Sequence, residues 1–261
     1  MFWLFEKDLP EGVGVEHFST MHLVYIAVFL VATIGYAHAY KKMSTDRRYT
    51  ADRILGVLVF LFGLFEYGTT AVLGYLNKYT LPIHVCSLMF TIVLIHAFTN
   101  KAQSGSFAAK LHGFLSAVIF HPGFLGTWAA LLFPDWLNYP FWNYLSISGF
   151  VVHGLISLYS ASVMVKNAEA DGPLRLFRRD LRNTSLFMII GAMIMYFFDK
   201  TTHTNYWYMA GPGNDSPFSF AYDAGGYLGY YIAYFVTVIV LTALWYLIRY
   251  IFIVRRRKKG A

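Results

Sequence analysis

Charge is what this sequence has little of. Asp, Glu, Lys and Arg make up 13% of its 261 residues, about half the ~25% with which a soluble domain clothes its surface. An ordinary water-exposed enzyme is thereby excluded. Cysteine is scarcer still, with Cys86 the single example, and that excludes a disulfide scaffold. Apolar residues are plentiful: 57% are hydrophobic and the mean hydropathy is +0.48, which excludes disorder. The 24 Phe, 20 Tyr and 6 Trp suit a chain lying against lipid and its interfaces. The composition is that of an integral membrane protein.

A helix crossing the ~30 Å hydrocarbon layer needs about 20 mainly apolar residues. Seven stretches approach this: His22 to Tyr40, Arg53 to Leu76, Leu81 to Thr99, Ala108 to Phe133, Trp142 to Val165, Thr184 to Phe198, and Gly226 to Val254. The sequence therefore predicts an all-α fold, a bundle of seven transmembrane helices over 22–254. An extracytoplasmic segment, 1–21, would precede it and a basic tail, 255–261, would follow. His121-Pro122-Gly123 predicts a kink in the fourth span, because proline removes a backbone donor. The sixth span is the shortest. No cleaved signal peptide, internal repeat or soluble domain is expected.

Lys and Arg set the expected orientation. They gather after the first span (Lys41, Lys42, Arg47, Arg48), after the third (Lys101, Lys110) and after the fifth (Lys166, Arg175, Arg178, Arg179, Arg182). The tail adds Arg255 to Lys259, whereas the alternate loops hold only Lys78 and Lys200. This alternation places the N-terminus outside and the C-terminus in the cytoplasm. The net charge of +7 is then explained by anchoring to anionic lipid, with no nucleic-acid partner.

Chemistry is sought among polar groups that hydrophobicity does not explain, since an ionisable residue within a span is costly. Glu66 lies near the middle of the second span, His84 and Cys86 at the outer start of the third, and His153 about halfway along the fifth. Comparable depth suggests a shared polar cavity. Each residue also has a plain alternative: cysteine packs as a small buried hydrophobe, and a membrane histidine can simply bond a neighbouring helix. No metal or other cofactor is expected, because His84 and Cys86, two residues apart, fall on different faces of a helix. Counting from the span entries puts Cys86 roughly 7–8 Å deep and His153 roughly 16–17 Å deep. Direct contact would need helix tilt to close that gap of about 9 Å, which His84, Asn143 or a water would otherwise bridge.

Leu81-Pro82-Ile83-His84-Val85-Cys86-Ser87, with Glu66 one helix earlier, resembles the bacterial YwaF-type integral membrane family. So do Trp128 to Asp135 closing the fourth span, Asn143, His153-Gly154, and the run Thr204-Asn205-Tyr206-Trp207-Tyr208-Met209. That family is similar to the eukaryotic transmembrane protein 164 group, implicated as cysteine-dependent acyltransferases in phospholipid remodelling. The resemblance implies functional roles for Cys86 and His153, a bacterial plasma-membrane location, and lipids as partners.

The implied reaction starts from a thiol that is a poor nucleophile until a base or positive charge favours its thiolate. His153 would take the proton, with Glu66 fixing the imidazole, as in a triad. Cys86 would attack a phospholipid ester, and a lysolipid hydroxyl would accept the acyl group. Asn143 or Asn205 would donate to the oxyanion, with His84, Trp128 and Tyr206 in support. Two other classes fit the composition: a carrier or lipid-binding protein with a broken helix, and an accessory subunit packing through Gly149–Gly154 and Gly225–Gly229.

Overall fold

The computed structural model describes residues 3–10, 12–101, 103–169, 173–212 and 218–259. All regular structure among them is helical. Among the described residues, six helical stretches are long and apolar enough to cross a membrane, and a seventh apolar helix is shorter. The chain forms two compact units, Met1–Glu169 and Ala170–Ala261.

In the first unit, α1 (Thr20–Lys42) begins where Ser19 accepts a hydrogen bond from the His22 backbone N–H. It ends on Lys41 and Lys42, cations that suit the negative end of the helix dipole. Its outward face carries Val24, Val28, Val31 and Ile34, exposed as a lipid-facing stripe would be. The other face packs on α6 (Tyr144–Glu169), where Thr33 and Ser157 share a hydrogen bond of 2.9 Å and Tyr25 stacks on Phe150. His22, the first residue of the expected first span, is fully buried and bonds the Leu131 carbonyl at 2.8 Å.

Only Met43 and Ser44 separate α1 from α2 (Thr45–Val72). The second helix thus begins two turns before the expected Arg53. Charged side chains do not break a helix, so Arg47, Arg48 and Asp52 lie within it. Small residues bring α2 against α3 (Val85–Thr99): Gly56 meets Ala97 and Gly63 meets the Phe90 ring. The fourth span is α4 (Phe107–Val118), a buried π-helical turn at Ile119–Gly123, and α5 (Phe124–Leu132). Pro122 lies in that turn, where the expected kink falls. The Gly149–Gly154 face is filled within the chain, by Trp136 and Phe29 respectively, and so is spent on this unit's own packing.

The second unit contains α7 (Pro173–Thr202), the short turn Tyr206–Tyr208, and α8 (Ser219–Lys259). The helix expected to be shortest runs for 30 residues, because the basic stretch before Thr184 is helical too. In α8 the regular turns break at Gly225 and Gly226, the latter at φ 58°, a left-handed value open to glycine.

Candidate functional site

α3 has 15 residues and is about 22 Å long, short of the ~30 Å core. Its lead-in, 81–84, is non-helical, and such backbone is tolerated at membrane depth where protein or a cavity surrounds it. A cavity of about 220 Å³ lies there, lined by Glu66, Tyr67, Thr70, His84, Tyr144 and Lys7 among others. His84 is the residue capping α3, in extended conformation and exposed.

Cys86 follows in the first turn of α3, half-buried and with a free thiol. The backbone N–H groups of Cys86 and Ser87 and the Ser87 hydroxyl lie close to its sulfur. These are donors available to negative charge developing there. Ser87 also shares a 2.7 Å hydrogen bond with Tyr67 of α2, which ties the two helices together beside Cys86. One residue before Tyr67 stands Glu66, within electrostatic range of Cys86 and hydrogen-bonding reach of the Ser148 hydroxyl on α6. Thr70 continues this wall, donating to the Glu66 carbonyl and meeting the Tyr144 hydroxyl at 3.3 Å.

Glu66, Cys86 and His84 are thus brought to one place. His153 is elsewhere on α6: its Nδ1 bonds the Gly149 carbonyl at 2.7 Å and its ring stacks on Trp136 at 4.8 Å. The Nε2 atom is buried with no hydrogen-bond partner, and no hydrogen bond joins His153 to Cys86. Trp128 packs against the apolar cluster of Leu131, Leu137 and Phe150.

The expected oxyanion donors are already engaged. Asn143 donates to the Trp3 and Glu6 carbonyls at 2.6 and 2.8 Å, and its Oδ1 accepts from Leu145 N–H. It pins the N-terminal segment to the start of α6. Asn205 donates to the Gly211 carbonyl and accepts from Ala210 N–H, so it shapes its own loop. Tyr206 is buried beside Phe198, and its backbone N–H donates to Asp199. Asn205 and Tyr206 belong to the second unit.

Sequence reasoning missed Lys7, Ser148 and Tyr144. A lone lysine in an acidic segment and a serine and a tyrosine in an apolar span carry no motif, and only packing brings Ser148 to Glu66 and Lys7 and Tyr144 to the cavity it lines. Among the described residues, no three His, Cys, Asp or Glu side chains converge as a metal site.

Residues 13–249 match the TMEM164 family. No curated protein and no solved structure gives a significant match.

Proposed function

The chain belongs to the TMEM164 family, and from that premise we propose that it is a lipid acyl-transfer enzyme working through Cys86. The observation that carries the proposal is the juxtaposition of a free thiol in the first turn of α3 with Glu66, which itself borders a cavity that Lys7 and His84 also line. A cysteine kept only for packing needs no acid beside it.

The Cys86 sulfur attacks the ester carbonyl of a phospholipid acyl chain, and Glu66 accepts the thiol proton. The C–O bond breaks, the lysolipid leaves with that proton, and a thioester remains on Cys86. A lysophospholipid hydroxyl then attacks the thioester, giving its proton back through Glu66 to the departing sulfur. The N–H groups of Cys86 and Ser87 favour negative charge at this helix end. Lys7, on the N-terminal segment, supplies a cation for a lipid phosphate.

His153 acts in this reading as a positioning residue. Its bond to the Gly149 carbonyl and its stack on Trp136 fix the stretch of α6 that presents Ser148 to Glu66. In this reading the N-terminus lies outside, as the basic loops lead one to expect, and the site opens to the outer leaflet of a bacterial plasma membrane.

The test uses purified full-length protein in proteoliposomes with a labelled phospholipid donor and a lysophospholipid acceptor. Acyl label on Cys86 in intact-protein mass spectra is expected, with transfer abolished in Cys86→Ser. Undiminished transfer by Cys86→Ser, or parent protein that neither takes up label nor transfers it, overturns the proposal.

A further inference from the structure

An aromatic cluster of the second unit holds a cation already. The Lys200 ammonium lies 4.8 Å from the centre of the Tyr227 ring and 5.7 Å from that of Tyr196. Tyr231 closes a third side, 6.1 Å from each of those rings, nearly perpendicular to Tyr196 and inclined by 28° to Tyr227. Two tyrosine rings thus meet one ammonium, with Tyr231 packed against both, and aromatic faces gathered around a cation are what bind quaternary ammonium groups through the ring quadrupoles.

The cage is built and not merely collected. Tyr231 donates its hydroxyl to the Met209 carbonyl at 2.7 Å, and its neighbour Tyr230 donates to the Tyr208 carbonyl at 2.8 Å. Gly211 backs the Tyr227 ring at van der Waals distance. The turn that presents these groups is strained: Trp207 and Tyr208 hold φ of 53° and 59° without being glycine. Such values persist only where the surroundings enforce them. Asp199, buried and with Oδ2 unpartnered, lies within electrostatic range of Tyr231 and adds negative potential beneath the rings.

We propose that the Tyr196–Tyr227–Tyr231 cage is a binding site for an external ammonium group of the choline type, with Lys200 as its internal competitor. Lys200 and Tyr227 are exposed, so the lysine can swing into water and vacate the rings. A quaternary ammonium is bulkier and less hydrated than a lysine head, so it gives up less hydration on reaching the rings. The site is carried by the second unit alone and does not depend on acyl transfer at Cys86. Two sources offer this chemistry: a choline lipid headgroup and free choline.

Native mass spectrometry of the full-length protein, released from micelles with phosphatidylcholine, phosphatidylglycerol or choline, reads the site. Parent protein should retain phosphatidylcholine over phosphatidylglycerol. Lys200→Met should raise phosphatidylcholine retention about fivefold, or ~1 kcal/mol, the scale of an exposed cation–π contact. Tyr227→Leu should abolish the preference and Tyr227→Phe should keep it. Choline retained in the absence of choline lipid assigns the cage to the free cation, and lipid retained undisturbed by choline assigns it to the headgroup. An unchanged preference in Tyr227→Leu overturns the proposal. So does equal loss of both lipids in Lys200→Met, which would make the lysine a phosphate anchor.

Discussion

Lys166 of α6 reaches Asp52 of α2 at 2.9 Å, and the carboxylate it meets is fully buried. The Tyr40 hydroxyl approaches both oxygens of the same carboxylate, at 3.0 and 3.1 Å, so three helices converge on one charge. Removing one partner leaves a buried charge uncompensated, which costs about 3–5 kcal/mol for a fully buried pair. The Lys166 side chain is 29% exposed, and Tyr40 would remain. Lys166→Met should therefore cost about 2–3 kcal/mol. Chemical unfolding in micelles checks this; Asp52→Asn/Lys166→Met should recover part of the loss.

This pair shows where sequence reading stops. A helix 2 drawn from Arg53 makes Asp52 a loop acid, and Lys166 counts only as one more cytoplasmic cation. The spans are apolar nearly all round, so no hydrophobic stripe marks which face is inward. Depth along a helix can be counted at 1.5 Å per residue, but azimuth cannot. Glu66 stands out by the cost of a carboxylate in lipid. His153 stands out in the same way, yet its turn toward Trp136 depends on packing between α6 and the turn Asp135–Asn138 after α5, on which the sequence is silent. The broken fourth span was legible because Pro122 acts locally.

Gly154 of α6 faces the Phe29 ring of α1 closely enough that a Cβ would collide with it. Gly154→Ala should cost about 1–3 kcal/mol by overpacking, and should loosen α1 first. Gly35, on α1, has open space around its missing Cβ, and Gly35→Ala should leave stability unchanged or slightly raised. Thermal unfolding of the two variants in the same detergent compares them directly.

The His96 ring is held from both sides, by Tyr159 at 2.7 Å and by Ser116 at 2.8 Å. Tyr159→Phe removes one partner and leaves a buried ring nitrogen unpaired, at a cost of about 1–3 kcal/mol. Phe retains the ring volume, so the loss should be polar in origin. His96→Phe/Tyr159→Phe should be less destabilised than the sum of the single changes, since the two share one bond.

The loops test orientation independently of chemistry. Because Cys86 is the single cysteine, Cys86→Ala gives a background for site-specific labelling. Lys78→Cys should react with an impermeant thiol reagent in intact cells. Lys42→Cys and Lys101→Cys should react only after lysis. All three positions are exposed, so accessibility itself does not limit the reaction. Labelling of Lys42→Cys or Lys101→Cys from outside would reverse the assignment of the basic loops.

Glu66 and Ser148 separate proton transfer from packing at the cavity. The Ser148 hydroxyl lies within hydrogen-bonding reach of Glu66 and also 3.3 Å from the Leu145 carbonyl, so it retains a local partner if Glu66 is changed. Glu66→Gln keeps the size and a hydrogen-bonding amide but cannot accept the thiol proton. Acyl transfer should fall by about 10²–10⁴, the range for loss of a general base, with thermal stability held. Ser148→Ala should reduce turnover about tenfold, or ~1.4 kcal/mol, consistent with loss of one hydrogen bond to a charged group. His153→Asn should give a reduction like that of Ser148→Ala if the histidine positions α6, whereas a loss as large as that in Glu66→Gln would make His153 the base. Initial rates in proteoliposomes, normalised to folded protein, rank the three variants.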